Sequence, residues 1–415
     1  MTAVPGGAAA RSPAASGAGD GGALGVWCGG VLVFGALMTP LMAWLAPLGF
    51  APLVALLGLL SLPALRMTSN DRPVLVALLV AVLWAATAST WSPHRVEEAE
   101  DSTALKLALQ LPLYWSAVCG ARRAAPRLRT IALQVLAWGL AALGLMLIIE
   151  AFTGAALYQL LHERFYEPTR PDLAARNLSR STFVLALLWP VAAVGAMRVK
   201  GMGWLSIPMA VGAVVGAVAF DADAPALAVF LAGGVVLAAL RWPADAPRAL
   251  GSLAAVAYIV MPAVVIAVRA AARALHFTPD IPLSWAMRLG YWTHAADWIG
   301  DHPLRGWGLD ASREFGPGIV LHPHNGPLQI WLELGAVGAL MAAAIWWLAL
   351  SRLSRSKPDL ITAAATASAA VYLLFGGVNF GVWQEWWLAM AALVAAVAAA
   401  AKGQNVLRPS TGSPI

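Results

Sequence analysis

His322-Pro323-His324-Asn325-Gly326-Pro327 runs directly into an apolar stretch at 328–350, LQIWLELGAVGALMAAAIWWLAL. A run of about 20 apolar residues is long enough to cross a bilayer as a helix. The chain therefore enters a membrane at the point where it carries two histidines. Pro323 and Pro327 pin the backbone, because each fixes its own φ and biases the preceding residue toward extended geometry. Asn325 or Gly326 suits the cap of the helix, and Pro327 suits its first turn. His324 then stands just before the N-terminus of a long apolar helix. The partial positive charge there disfavours imidazolium and favours neutral imidazole, the form that accepts a proton. The same helix end attracts an anion. His322, two residues away in an extended segment, is expected to face elsewhere.

Composition extends this reading to the whole chain. Of its 415 residues, 60% are hydrophobic and 12% charged, with a mean hydropathy of +0.73; a soluble protein carries roughly 25% charged residues. The class is a polytopic, all-α membrane protein, and no nucleic-acid partner is expected. About twelve spans are expected near 24–45, 48–65, 73–91, 104–120, 130–152, 181–197, 202–220, 225–240, 250–268, 328–350, 359–379 and 383–401. Residues 1–22 and 403–415 read as cytoplasmic tails, the first of them flexible and disordered. Spans one to nine fall within 23–268, a long loop occupies 269–327, and the last three spans fall within 328–402. Nineteen tryptophans suit anchoring at two membrane interfaces. Cys28 and Cys119 both lie in apolar runs and read as small core residues, with no disulfide or metal role.

Lysine and arginine set the orientation. With the N-terminus inside, the inner loops hold sixteen Lys and Arg residues, and the short outer loops hold only Arg95 and Lys106. Two outer segments depart from that rule. Segments 153–180 and 269–327 hold Arg164, Arg170, Arg176, Arg180, Arg269, Arg273, Arg288, Arg305 and Arg313, and no lysine. A guanidinium grips phosphate or carboxylate with two prongs, which lysine cannot do. All seven histidines also fall on the outer side, so proton-transfer chemistry is expected on that face. Within the long loop, Trp285, Leu289, Trp292, Ala296 and Ile299 form one helical stripe, with Arg288, His294 and Asp297 off it. This reads as an amphipathic helix over 281–300. A tight loop follows at His302–Gly308, then a short helix near Asp310.

At Arg288-x-x-x-Trp292, at Pro303-Leu304-x-Gly306-x-Gly308 and at His324-Asn325-x9-Gly335-x-x-Gly338 the chain resembles the superfamily of O-antigen ligases and Wzy-type polymerases, and the last spacing is similar to the ligase signature in particular. The resemblance is densest over 285–340. It implies a GT-C-type glycosyltransferase of the Gram-negative inner membrane, with both termini cytoplasmic and its active site in a long periplasmic loop. It implies a donor glycan on undecaprenyl pyrophosphate, a sugar hydroxyl of lipid A-core as acceptor, and no nucleotide, metal or other cofactor. A polymerase of O-antigen repeats or a protein O-oligosaccharyltransferase would share the donor and differ in the acceptor. A lipid-linked glycan flippase would instead show internal repeats and broken helices meeting at mid-membrane. An outer Asp221-x-Asp223 pair, and the cluster Glu97, Glu98, Glu100 and Asp101 in another outer loop, are the features that would bring in a metal.

Transfer from a glycosyl pyrophosphate needs a base for the acceptor hydroxyl and positive charge for the leaving group. His324 is the candidate base, and Arg288 is the candidate grip on pyrophosphate. Arg176, Arg180, Arg305, His322, Asn325 and Glu333 make up the expected substrate-binding set. Arg176 and Arg180, four residues apart, are able to point the same way, and Asn177 between them is able to bond sugar hydroxyls. Glu333, inside the apolar helix, is expected to pair with an arginine or to line the acceptor cavity. Gly335 and Gly338 read as allowing close helix packing. Trp383, Trp386 and Trp387 read as interface anchors or as a sugar platform with Asn379, Gln384 and Glu385.

Overall fold

The computed structural model describes residues 22–165, 167–198, 201–276, 281–316 and 318–402. The expected tails at 1–21 and 403–415 lie outside the described residues. Fourteen α-helices and no strand occur among those described: α1 (Ala23–Leu45), α2 (Phe50–Leu60), α3 (Arg72–Ala88), α4 (Thr103–Arg123), α5 (Pro126–Thr153), α6 (Ala156–Phe165), α7 (Pro171–Met197), α8 (Ser206–Ala219), α9 (Asp223–Arg241), α10 (Asp245–Ala274), α11 (Leu283–Ile299), α12 (Gly326–Ser351), α13 (Leu360–Val378) and α14 (Glu385–Lys402). This is the expected all-α polytopic architecture. Among the described residues, α1, α5, α7, α9, α10, α12, α13 and α14 are long and apolar enough to cross a membrane. Shorter apolar helices stand at Pro47–Leu60, Arg72–Ala88 and Gly203–Ala219. α4 is long enough but carries Lys106, Gln110, Arg122 and Arg123. Each of the twelve expected stretches thus holds a helix.

Local chemistry sets the boundaries. Proline occupies the first turn of α3, α5, α7 and α12, where its missing N–H costs nothing. Ser102 and Asp359 cap α4 and α13 by accepting from Leu105 N and Thr362 N. α7 begins at Pro171, ten residues before the span expected there. Arg176 and Arg180 therefore stand on its first turns and not in a loop.

Hydrogen bonds and ion pairs sort the loops into two ends. Gly25 meets Ala125, Asp71 meets Arg122, Arg198 meets Ala401 and Pro243 meets Arg355 at one end. Ser92 meets Leu309, His94 meets Glu314 and His324 meets Asn379 at the other, called here the upper end.

The helices fall into two lobes. The main apolar core draws on α1, α2, α4, α5, α7, α8, α9, α13 and α14, and no residue of α3, α10, α11 or α12 belongs to it. Those four pack instead in two smaller clusters, one around Leu309, Ile330 and Leu334, the other around Ala295, Ile299, Leu328 and Leu332. Between the lobes lies an apolar cavity of about 780 Å³, lined by residues including Leu78, Leu111, Tyr258, Ile330, Trp383 and Trp387. It reaches from Gly326 and Val382 at the upper end to Arg66 and Met67 at the other.

α12 is not one continuous helix. It breaks at Gly335, where φ is +66° and ψ −165°, a region open essentially to glycine alone. A loop fills the break. Trp307 N–H donates to Leu332 O (2.8 Å), and Gly308 N–H donates to Glu333 O (2.9 Å). Below the break, Ala336 N–H donates to Pro303 O (2.8 Å). Trp84 of α3 donates its indole N–H to Leu334 O at 3.1 Å. A Cβ on Gly306 would meet the Glu333 carbonyl at 2.5 Å, and one on Gly335 would meet Leu304 O at 2.3 Å. This corrects the expected role of Gly335: it admits a loop into a broken helix, and two helices do not meet there. Gly335→Ala is expected to cost about 1–3 kcal/mol from backbone conformation alone, with the clash against Leu304 added. Thermal unfolding of the purified protein should record a lowered midpoint, and Gly338→Ala, whose Cβ would meet only Leu334 of its own helix closely, should record a smaller one.

Candidate active site

Glu333 ties the upper loop to the membrane helix. It is fully buried, and four donors reach its two oxygens. Ser312 Oγ–H (2.7 Å) and Gln329 Nε2–H (3.0 Å) donate to Oε1, while Asp310 N–H (2.9 Å) and Trp383 Nε1–H donate to Oε2. No arginine pairs with it, contrary to expectation. With both oxygens occupied by protein donors, Glu333 shapes the site and does not line it. Through Ser312, whose single O–H lies between Glu333 Oε1 and Leu321 O, the latter 2.9 Å away, it fixes the approach to the His322–Asn325 segment.

That segment is not extended. His324 has φ +52° and Leu321 φ +65°, so the chain turns and the two histidine rings lie side by side, with centroids 4.2 Å apart. The expectation that they face apart fails because left-handed residues break the alternation of an extended chain. Asn325 caps α12 by accepting from Leu328 N at 3.0 Å, which occupies the oxygen of a residue expected to bind substrate.

His324 is held from both lobes. Its Nδ1 lies 2.7 Å from the carbonyl oxygen of Asn379, at the end of α13. A carbonyl only accepts, so Nδ1 carries the proton and the lone pair is on Nε2. Tyr291 of α11 stacks on the ring, centroids 6.1 Å apart, and Trp292 Nε1–H donates to Pro323 O at 2.9 Å. Burial lowers the His324 pKa from its ordinary value; the Asn379 carbonyl opposes this and the Arg288 charge adds to it. His324 is thus a neutral imidazole with its proton on Nδ1.

His322 is buried. Its Nδ1 accepts from His324 N–H at 3.1 Å, and its Nε2 meets the Gln384 amide at 3.2 Å. Burial first, then the neighbouring His324 and Arg313, push its pKa down to about 3. Both ring nitrogens are engaged within the protein, so this residue, expected to bind substrate, instead supports its neighbour.

Arg288 lies on the inward face of α11. Ala295, Ala296 and Ile299 are buried and Arg288 and Trp292 are half-buried, whereas Leu289 is exposed. The stripe expected from sequence is therefore rotated, because the tertiary contact, and not apolarity, chooses the face. Trp285 stacks under the guanidinium, 5.0 Å from its ring centroid. Burial lowers the Arg288 pKa, and the carboxylate of Asp223 opposes that. Asp223 thus acts on Arg288, and among the described residues no cluster of three His, Cys, Asp or Glu side chains has a geometry fit for a metal ion.

Arg176 and Arg180 stand on α7, and neither forms an ion pair among the described residues. Phe183, one turn below Arg180, packs on Phe380 with centroids 4.9 Å apart, and Phe380 follows Asn379. Arg180 itself lies near Arg176 and the Tyr158 hydroxyl. Asn177 does not face a ligand: its amide reaches Trp44 O, Leu45 O and Tyr158 Oη, which closes the end of α1. Arg305 sits at the α12 break, its guanidinium over the ring of Trp91 at 5.7 Å. Trp386 and Trp387 are core residues, 6% and 1% exposed, and not interface anchors. Reasoning from sequence missed two groups of the site. Tyr291 lies one turn beyond Arg288, a spacing that marks it as facing the same way. The Asn379 carbonyl left no signal, because any residue type supplies one.

Residues 208–343 match the family model Wzy_C, described as O-Antigen ligase. The resemblance read from the sequence therefore holds over this region: α9 to α11 and the α12 break lie within it, and α7 and the α13–α14 turn do not. The chain is also similar to proteins named "Putative polysaccharide ligase" from Rickettsia conorii, at 30% identity over 119 residues, and from Rickettsia bellii, at 31% over 120 residues. These matches cover 25% and 26% of this chain, and each spans 29% of the relative's length. No solved structure matches.

Glu333→Gln would place an NH2 group against two of the four donors. Leaving buried donors unpaired costs about 1–3 kcal/mol each. Limited proteolysis should therefore cut the variant within 301–324 under conditions that leave the wild type intact.

Proposed function

We propose, from an O-antigen ligase region at 208–343 and the site built on it, that this protein is an inverting glycosyltransferase that moves a glycan from a polyprenyl pyrophosphate to a sugar hydroxyl. The donor we assign is O-antigen on undecaprenyl pyrophosphate, and the acceptor is lipid A-core. The observation that carries this reading is His324: a neutral imidazole whose Nδ1–H is bound to a carbonyl, whose Nε2 has no hydrogen-bond partner among the described residues, and which feels the charge of Arg288.

In the reaction the acceptor oxygen attacks the anomeric carbon as its proton passes to His324 Nε2. The bond from that carbon to the pyrophosphate oxygen breaks, and its electron pair stays on the pyrophosphate. The imidazolium is stabilised by the Asn379 carbonyl, and its proton later leaves to water. Such a base typically contributes about 10²–10⁴-fold. Arg288, with Arg180 and Arg176 on α7, meets the charge that grows on the leaving group; one well-placed donor to a developing charge is worth roughly 3–4 kcal/mol. The apolar cavity that opens beside Gly326 and Val382 suits the isoprenoid chain of such a donor. The arginine excess supports a periplasmic site in the inner membrane with both termini cytoplasmic, because a functional anion explains cations that the positive-inside rule would otherwise place inside.

The test is transfer from purified undecaprenyl-pyrophosphate donor to purified lipid A-core by the reconstituted protein. Wild type should transfer and His324→Gln should lose at least 10²-fold with membrane insertion unchanged. Arg288→Lys should also fail, since a point charge does not replace a fork. Transfer by wild type to donor repeats but not to lipid A-core would replace the acceptor assignment with a polymerase.

The pH dependence has a definite sign. The base works when neutral, and its pKa is lowered below 6.5. The acid limb of the activity profile should have its midpoint below the ordinary imidazole value, so activity should fall at lower pH than an exposed histidine base would give.

A further inference from the structure

We propose that His322 and Gln384 are positioning residues that hold His324 in the turn where Nδ1 is the protonated nitrogen and Nε2 the basic one. The inference rests on the reading of His324 as base and names what makes that base competent.

His322 Nδ1 accepts the His324 backbone N–H. A neutral imidazole that accepts at Nδ1 must carry its proton on Nε2. Its Nε2 lies 3.2 Å from the Gln384 side-chain nitrogen. Two donors would then oppose each other, while Gln384 Oε1 is buried with no partner. Turning the amide over resolves both defects: Nε2–H donates to Oε1, and no buried oxygen is orphaned. The hydrogen-bond chain from Gln384 through His322 to the His324 N–H is then continuous, and it holds the φ of +52°, a left-handed conformation that is strained for a residue with a side chain.

The turn that presents Gln384 is itself braced. Val382 N–H donates to Gln329 Oε1 at 2.9 Å. Glu385 binds Lys106 at 3.1 Å and accepts from Gln110. Phe380 packs on Trp386 and Trp387. Gly381 leaves room for the His322 ring, which a Cβ there would meet at 2.9 Å. The same turn follows the Asn379 carbonyl that fixes the His324 tautomer. One turn of the second lobe therefore sets both the backbone and the ring of the base. The titratable and charged groups facing His322 are His324 and Arg313, the latter paired with Asp310. Those facing His324 are His322, Tyr291 and Arg288.

The test compares wild type with Gln384→Leu and Gln384→Glu, full chain in bilayers, by ¹⁵N-histidine NMR and by transfer kinetics, with His324 assigned through His324→Gln. Wild type should show His324 protonated at Nδ1 and His322 at Nε2. Gln384→Leu should mix the His324 tautomers and lower kcat by tenfold or more, with donor KM unchanged. Gln384→Glu keeps the acceptor and should retain transfer at pH 8. Its carboxylate stabilises a charged His322, which no longer accepts the His324 N–H, so its activity should fall as pH drops, with the acid limb at least one pH unit above that of wild type. The isosteric Glu variant decides the matter if the Leu variant does not fold. Wild-type tautomers in Gln384→Leu, or an unmoved acid limb in Gln384→Glu, would overturn the proposal. Full transfer by His324→Gln would remove the base, yet the tautomer comparison would still decide the positioning.

Discussion

The break in α12 at Gly335 is the constraint on which the upper half of the molecule depends. Inside a membrane, backbone N–H and C=O groups must be paired within the protein. An interrupted helix leaves several of them open at once. Here the Pro303–Gly308 loop supplies the missing partners on both sides of the break, and Trp84 supplies another. The glycines at 306, 308 and 335 are needed because backbone approaches backbone at distances that exclude a Cβ. Once that loop is seated, Asp310 and Ser312 reach Glu333, and the chain is delivered to His322 and His324 in a defined direction. The break is filled by the protein's own loop, unlike the paired half-helices expected of a transporter.

The second principle of the site is that no single lobe completes it. α11 and α12 bring Arg288, Tyr291 and the histidines. The α13–α14 turn brings the Asn379 carbonyl and Gln384. The two lobes have separate apolar cores and a large apolar cavity between them. Polar contacts from the α13–α14 turn bridge them at the upper end. Chemistry assembled across a seam is sensitive to how the lobes sit, and the bridging contacts are the ones that set the state of His324.

Much was legible in the chain itself. The helical stretches could be read because apolar runs of span length are hard to place anywhere but a membrane, and the cap at Asn325 followed from its side chain. His324 and Arg288 stood out through residue type and spacing. Apolarity places Leu289 on the buried stripe of α11 and Arg288 off it, whereas the guanidinium faces inward, stacked on Trp285 and near the carboxylate of Asp223, and Leu289 is exposed. Glu333 was expected to meet an arginine because charge is the loudest signal in an apolar helix; the actual partners are a backbone N–H, a hydroxyl, an amide and an indole, none of which announces itself.

The sequence by itself determined the class of molecule, the segments that become helices and the side chains able to do acid–base and anion chemistry, since these depend on composition and local periodicity. Only the tertiary structure decided which nitrogen of His324 is basic, that His322 supports it, and that Glu333 is an anchor. Those outcomes rest on backbone carbonyls, left-handed turns and contacts across more than fifty residues of chain, from His324 to Asn379 and from His322 to Gln384. A carbonyl is the same in every residue, so its position, which fixes the proton on His324, is a property of the fold.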